Sequence, residues 1–593
     1  MENTIEFYRE CINYYTRLKA SFDQRSKHFS ILRLICFIAM AFSVYQCFVT
    51  AYLTIQIIMS VLFLIFFLAL VKRHDKIQRR RDWVERMLLI NSNELNVLQN
   101  KPSVFDNGMA YFSTDSYYYD LDIFGEGSVY HLLNRTGTTI GANALADQLK
   151  IPLSDIEEIC QQQNAISELS QHTDFRQQIT AAGMKDKGKA SDIKNIQAWF
   201  DSDKNLSKSW WKYVIAAGIL LLITALIYCI VTGNYYFITP AFLLNLGTCI
   251  VISKGISEAH NKLSGAGKLL EQYADIFSII SNSNFSNNLL SGIHKISHNA
   301  DKRLKSLASI IDLFDQRINF LVAVFFNGFF FYDLLCVMKL EKWKKTNAHY
   351  VNDWFKSLAK IDALNSFATY AFNNPQYTAP SILSDNEQII EAKSLAHPLI
   401  PADKRVSNHV SFGAKSKVIL ITGSNMSGKS TFLRTVGVNM LLASCGAPVC
   451  ASEFGFYPVK IYTSLRQSDS LQEDTSFFYA ELKKLGKIVK NLEAGEKAIV
   501  MLDEVLKGTN SDDKTYGSQE LIHRLVHFNA LSLIATHDIT LGKMEKESEG
   551  LIENYCFESA IENDELLFDY KLHKGIAVNK NATFLMRKMG IIS

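Results

Sequence analysis

Val418-Ile419-Leu420-Ile421-Thr422-Gly423-Ser424-Asn425-Met426-Ser427-Gly428-Lys429-Ser430-Thr431 is the stretch from which the rest of this chain is read. Its first five residues are β-branched or apolar and have strand character. The next nine fit G-x-x-x-x-G-K-[ST], and the apolar residues of 432–444 recur at helical spacing. The motif therefore sits between a strand and a helix, the context in which it works. Gly423 and Gly428 let the backbone N–H groups of the loop, through Ser424, Asn425, Met426 and Ser427, close on phosphate oxygens. The helix beginning at the loop's end adds the positive pole of its dipole. Lys429 is expected to neutralise the β- and γ-phosphates of ATP, and the Ser430 hydroxyl to hold Mg²⁺. All nine residues, Gly423 to Thr431, are expected to line the nucleotide site.

Two further apolar runs support an α/β nucleotide domain. The run 498–502 ends in Asp503-Glu504, and the run 530–535 ends in Thr536-His537-Asp538. A carboxylate at a strand end facing a phosphate loop can take the metal, and an adjacent one can orient the attacking water. Asp503 and Glu504 are assigned these two roles. His537, placed after a third strand, is expected to sense the γ-phosphate. The expected activity is Mg²⁺-dependent ATP hydrolysis.

At 593 residues the chain is long enough for several domains. Lys plus Arg number 62 against 59 acidic residues, so net charge neither favours nor excludes a nucleic-acid partner. The 38 phenylalanines and a positive mean hydropathy point to membrane segments. Residues 34–71 form 38 consecutive positions without a charge, and 213–253 form 41. A single span needs about 20 residues, so each run can hold two. Gln46 and Thr50 mark the middle of the first run, and Thr232-Gly233-Asn234 the middle of the second. Basic residues flank both runs: Arg25, Lys27, Arg33, Lys72 and Arg79–Arg81 around the first, Lys208, Lys212 and Lys254 around the second. Both ends of each hairpin are then expected in the cytoplasm. The competing reading is two helical hairpins buried in a large soluble core. The first run is too long for a signal peptide and lacks a small-residue cleavage site before Arg73. A third apolar stretch, 318–338, is broken by Asn327 and Asp333, and is expected to be a buried or interfacial helix near the membrane. The ten cysteines show no metal-type spacing, and Cys36, Cys47, Cys229, Cys249 and Cys336 lie in apolar stretches. All ten are read as reduced and structural.

The loop Gly423 to Arg434, with its Asn425-Met426 before the second glycine, resembles the MutS family of DNA mismatch-repair ATPases. Leu132-Leu133-Asn134-Arg135-Thr136-Gly137-Thr138-Thr139-Ile140-Gly141 is similar to the opening of the MutS core. Lys360-Ile361-Asp362-Ala363-Leu364 resembles the helix entering the ATPase domain, with His397-Pro398 following. Asp503-Glu504-Val505 to Lys507-Gly508-Thr509, Thr536-His537 and the segment 575–590 resemble the family's later ATPase segments. The resemblance implies dimerisation through the ATPase domains, with a serine from one subunit approaching the other's nucleotide. Ser476 is the matching residue here. Asp474 stands where the family has glycine, and brings a negative charge toward that contact. Ser424 and Ser427 replace the family's Pro and Gly.

The implied fold is an α/β P-loop NTPase domain of the ABC/MutS type at the C-terminus. An all-α MutS-like core with two transmembrane helical hairpins precedes it. The expected divisions are an N-terminal hairpin segment (1–90, apolar part about 34–71), core (91–205), second hairpin (206–255), second part of the core with lever helices (256–380) and ATPase domain (381–593). Mismatch readers of the family carry an N-terminal domain with a Phe-x-Glu wedge. Here Phe124-Gly125-Glu126 is the only such triplet, and it falls just before the core opening, where it is read as chance. The expected protein is a multi-pass ATPase of a bacterial inner membrane, with core and ATPase domains in the cytoplasm, acting as a homodimer. DNA remains open as the client. Lys302, Arg303, Lys305, Lys342, Lys344 and Lys345 could meet DNA phosphates or lipid head groups. Two alternatives stand beside this reading: half of an ABC-type transporter, and an ATP-binding membrane scaffold with little turnover.

Overall fold

The computed structural model describes the chain apart from residues 1, 50–52, 115, 186–189, 203–207, 385–388, 414, 467–476, 507–509, 563–564, 578–585, 587–590 and 593. Two very long helices, Glu2–Val49 and Leu53–Leu98, form an antiparallel pair. In their apolar part the side chains facing outward are Leu34, Phe37, Phe42, Ile57, Phe66 and their like. The polar groups turn inward: Ser43 Oγ donates to Gln56 O at 3.2 Å, Ser60 Oγ donates to Ser43 Oγ at 3.0 Å, and Cys36 Sγ lies 3.5 Å from Phe63 O. A helix pair built for water has the reverse pattern.

The second run folds as Trp211–Thr232 and Ile238–Leu263, with Gly233 closing the first helix in the left-handed conformation at φ 71°. Among the described residues three helices, Glu2–Val49, Leu53–Leu98 and Trp211–Thr232, are long and apolar enough to cross a membrane, and up to five if each of two bent pairs counts as one span. The stretch 318–338 is not one helix: it is split between Phe320–Phe330 and the start of Tyr332–Asn373, where Leu334, Cys336 and Val337 are buried. Phe320–Phe330 buries only Asn327 and Gly328 and leaves Phe320, Leu321, Phe325 and Phe330 exposed, so its apolar residues do not fill a core.

The helical core is built around Tyr332–Asn373, a helix of 42 residues. Thr139–Lys150 and Ile156–Gln171 pack along it, and their first turns are capped by Thr138 and Asp155. The two sequence segments read as core opening and ATPase entry meet at one carboxylate. Asp362 accepts from Gly137 N (3.1 Å), Thr138 N (2.9 Å) and Thr138 Oγ1 (2.7 Å). Burial raises its pKa to about 6 in spite of these bonds. Gly141 has to be glycine here, because a Cβ would fall 2.1 Å from Asp362 Oδ2. The first hairpin is also fixed to this core. Tyr8 Oη donates to Asn373 Oδ1 (2.8 Å), Asn373 Nδ2 donates to Glu94 Oε2 (2.7 Å), and Glu94 pairs with Arg135, both buried. A division at residue 90 falls inside the helix Leu53–Leu98, and one at 255 inside Ile238–Leu263.

The C-terminal part carries a six-stranded sheet in the order Glu565–Lys574, Ile552–Glu562, Val418–Gly423, Ala530–Thr536, Ala498–Asp503, Lys460–Ser464. All neighbours are parallel except the first pair. The three runs read as strands are therefore adjacent and central. They are buried on both faces, as continuous apolar runs in a parallel sheet should be. A second sheet of four short strands is formed by Ser381–Ile382, Glu453–Phe456, Ile390–Leu395 and Asn408–Phe412.

Candidate nucleotide site

The site forms at the carboxyl ends of the three central strands, where ligands of open α/β sheets bind. Register fixes the alignment: Thr422 lies opposite Thr536, and Asp503 opposite Ala535. Gly423 ends the first strand, and the helix Lys429–Ser444 starts directly after Gly428, which has φ 105°. Backbone N–H groups at this helix start form an anion cradle, as the motif requires.

Lys429 is buried inside the loop, its ammonium donating to Gly423 O and Ser424 O at 2.8 Å each. Ser430 Oγ donates to Asp503 Oδ2 at 2.5 Å. Two oxygens in adjacent octahedral positions of Mg²⁺ stand about 2.9 Å apart, so this pair fits the ion with little movement. Beside Asp503, Glu504 adopts φ 51° and is held by its N–H on Ala535 O at 2.9 Å. His537 Nε2 lies 2.5 Å from Glu504 Oε1. The histidine expected to sense phosphate thus contacts the carboxylate expected to orient water. Residues Gly423 to Thr431, Asp503, Glu504 and His537 come together as read from the sequence. Ser476, with Asp474 and the segment 507–509, lies outside the described residues, as does most of 575–590.

A cavity of about 580 Å³ opens beside the loop, within the usual range for a ligand site. It is lined by residues 425–431 and Glu504, by the polar Lys404 and Asn408, and by Leu395, Ile400, Val406, Phe557 and Tyr570. An apolar and aromatic wall next to a phosphate cradle is suited to a nucleobase. Tyr570 is left-handed at φ 54°, with its ring 3.1 Å from where a Cβ on Gly428 would stand. Asn408 fixes this strand by donating to Tyr570 O (3.1 Å) and accepting from Leu572 N (2.8 Å). Sequence reasoning missed Tyr570, because it lies on a hairpin strand with no motif around it.

A second missed group comes from the core. Asp120, fully buried, accepts from Thr463 Oγ1 (2.6 Å), Leu465 N (3.2 Å), Arg466 N (3.1 Å) and Lys484 Nζ (2.7 Å). Asp122 accepts from both terminal nitrogens of Arg466 (2.6 and 2.7 Å) and lies 3.5 Å from Arg434 on the phosphate-loop helix. His397 is buried next to Arg434. Burial first, and then the arginine charge, lower its pKa to about 4, so it is neutral near pH 7.

The residues considered for DNA are largely engaged within the chain. Lys344 Nζ donates to Trp199 O and Ser202 O at 2.6 Å, Lys305 pairs with Asp275 at 3.5 Å, and Arg303 lies over the Tyr350 ring at 4.8 Å. Phe124 is 5% exposed among Tyr111, Tyr118 and Tyr130. It is a core residue and has no surface from which to wedge into a base stack.

Comparison with known proteins gives two family matches. Residues 112–368 match MutS domain III, and residues 419–589 match MutS domain V. The domain III match runs across the second apolar hairpin. The chain is similar to the DNA mismatch repair protein MutS of Acetivibrio thermocellus, 31% identical over 248 residues, 40% of this chain and 27% of that protein. It is similar to its namesake in Clostridium botulinum strain Hall, 34% identical over 225 residues, 37% of this chain and 24% of that protein. It is also similar to mouse MutS protein homolog 4, 28% identical over 260 residues, 42% of this chain and 26% of that protein. The chain thus spans about a quarter of the length of these relatives.

Proposed function

The chain belongs to the MutS family, and from that premise we propose that it is a membrane-anchored ATPase that hydrolyses ATP with Mg²⁺ and works as a homodimer through its nucleotide domains. The observation that carries the proposal is the meeting of Ser430 and Asp503 at 2.5 Å, beside Lys429, Glu504 and a cavity of nucleoside size. Ser430 and Asp503 would hold Mg²⁺, which when bound neutralises phosphate charge. Lys429 holds the β- and γ-phosphates, and Glu504 orients the attacking water. His537, in contact with Glu504, sets where that carboxylate points. Ser476 is the residue assigned to the partner's nucleotide.

Membrane anchoring is supported by the inverted hairpin: apolar side chains outward and Ser43, Gln56, Ser60 and Cys36 inward. Core and ATPase domains would lie on the cytoplasmic side of a bacterial inner membrane, given the basic flanks. The relatives are named for DNA mismatch repair. A DNA client is therefore carried into the test, although Phe124 is buried and cannot serve as a wedge. Both family matches are MutS domains, and no observation favours a transporter half.

The test is Mg²⁺-dependent turnover of the purified full chain, with Lys429→Ala and Glu504→Gln as controls. Both should lower kcat at least about a hundredfold, the scale of losing one preorganised transition-state contact. Wild-type turnover in either variant would remove the site assignment. The same assay with matched and mismatched duplex DNA over a salt series decides the client. A several-fold, salt-sensitive change supports DNA, and no change points to another client.

A further inference from the structure

We propose that Phe320–Phe330 is a re-entrant half-helix embedded in the bilayer, docked on the second hairpin and forming the membrane end of the long helix that runs to the ATPase domain. This rests on the membrane reading above and adds to it a fifth embedded element that does not cross. The helix has 11 residues and is about 16 Å long, roughly half the ~30 Å hydrocarbon thickness. From Ile318 to Tyr332 there is no charged residue, and the exposed side chains are Ile318, Phe320, Leu321, Phe325, Phe326 and Phe330, with Asn319 the one exposed polar residue, at the helix start. A helix lying flat at a membrane surface keeps one polar face. This one has none.

Short helices can end inside hydrocarbon only where protein satisfies their terminal backbone groups. Here protein atoms take up part of the terminal groups at both ends. At the start, Asn319 Oδ1 accepts from Leu321 N (3.1 Å) and Val322 N (3.4 Å), and Asn319 O accepts from Ala323 N (2.8 Å). At the finish, Phe331 N donates to Asn327 O (3.2 Å), and Asn245 Nδ2 from the second hairpin donates to Gly328 O (3.1 Å). Asn327 Oδ1 then accepts Asp333 N at 2.9 Å, an orphan donor in the first turn of the next helix, while Asp333 pairs with Arg317 at 3.1 Å. Both side chains of that ion pair are largely buried. The polar residues that interrupt the apolar stretch are thus the ones that seal the break.

Close packing holds the element on the hairpin. A Cβ at Gly328 would lie 2.1 Å from the Phe242 ring, and one at Gly218 2.4 Å from the Phe331 ring. Small residues at such contacts let helices approach without a hydrophobic drive. At Phe331, left-handed at φ 54° and 1% exposed, the chain bends by 83° into Tyr332–Asn373. That helix has 42 residues, about 63 Å, and its far end carries the Asp362 clasp on Gly137 and Thr138. The half-helix and the core therefore share one continuous rod.

The test is cysteine labelling of the full chain in sealed, inverted membrane vesicles with a membrane-impermeant maleimide. Three variants, Ser309→Cys, Asn234→Cys and Phe325→Cys, are read against the parent chain. Ser309→Cys should label in sealed vesicles, Asn234→Cys only once they are opened, and Phe325→Cys only after detergent. Retained ATP turnover in each variant checks the fold. Labelling of Phe325→Cys at the Ser309→Cys rate, or on opening without detergent, would overturn the half-helix and leave the hairpins standing. Labelling of Asn234→Cys in sealed vesicles would instead overturn the membrane reading itself, and this proposal with it.

Discussion

Replacing Asp120 by alanine should cost about 3–5 kcal/mol, because it removes the single carboxylate on which four donors of the region matching MutS domain V converge. Two of those donors are backbone N–H groups, Leu465 N and Arg466 N, which cannot turn away. Leaving each unsatisfied in a buried place costs about 1–3 kcal/mol. Thr463, also buried, loses its acceptor at 2.6 Å. Lys484 behaves differently: with about a quarter of its side chain exposed, it can swing to water, and its share is at most about 1 kcal/mol. Lys484→Met is the matched control, since it removes the ion pair and leaves the other three bonds. The assay is urea denaturation of the detergent-solubilised chain, followed by tryptophan fluorescence and by loss of ATP turnover. Asp120→Ala should lower the midpoint far more than Lys484→Met. Equal and small shifts for both would mean that the carboxylate is no more than a rim ion pair, and the reasoning would fail.

The remaining predictions concern the nucleotide site and its surroundings. Tyr570→Ala should raise the KM for ATP about tenfold and leave kcat within about twofold, as expected for loss of one base-stacking face. An unchanged KM would put the base elsewhere. His397 has its pKa lowered to about 4 against about 6.5 when unfolded, so the unfolded chain binds more protons between these values. The stabilisation it gives is complete above pH 6.5, has fallen by about 2 kcal/mol at pH 5, and is gone below pH 4. His397→Gln should flatten the slope of denaturation midpoint against pH between 6.5 and 5. A slope equal to that of the parent would remove the assignment.

What could be read from sequence follows the reach of local rules. The phosphate loop, its strand and its helix are contiguous, and the strand at Val418–Gly423 and helix at Lys429–Ser444 stand where the motif put them. Asp503, Glu504 and His537 were legible because each closes an apolar run, and parallel register carries strand ends to one edge. Tyr570 was not legible: its approach to Gly428 depends on a register shift between Phe568 and Leu572, which no composition signals. Asp120 and Asp122 were missed for a related reason, since their partners lie more than 300 positions away. For 318–338 the sequence supports a buried or interfacial helix, because Asn327 and Asp333 interrupt a span, and the break between Phe320–Phe330 and Tyr332–Asn373 falls between those two residues. That Asn327 accepts from Asp333 N while Asp333 pairs with Arg317 is visible only in three dimensions.

One carboxylate joins the core to the helix that follows the phosphate loop. Asp122 is bidentate to Arg466, the last described residue before 467–476, and reaches Arg434 on the helix that begins at the phosphate loop. Its neighbour Leu121 is fully buried against Gly437 on that same helix, where a Cβ would meet it at 2.7 Å. A side chain at Gly437 would therefore push the core away from the nucleotide helix without touching the nucleotide. The two arginines repel each other across Asp122, so displacing the helix relative to Arg466 changes the balance on a residue of the core. The core in turn is tied through Asp362 to the rod that ends at Phe331. These contacts form a contiguous, partly charged chain from the phosphate-loop helix into the core and from there to the second hairpin. Asp122→Asn, which keeps shape and halves the charge-assisted bonds to Arg466, should weaken that route while leaving Lys429, Ser430 and Asp503 in place. ATP affinity would then persist while stimulation of turnover by any client is lost. Full stimulation in this variant would place the coupling elsewhere.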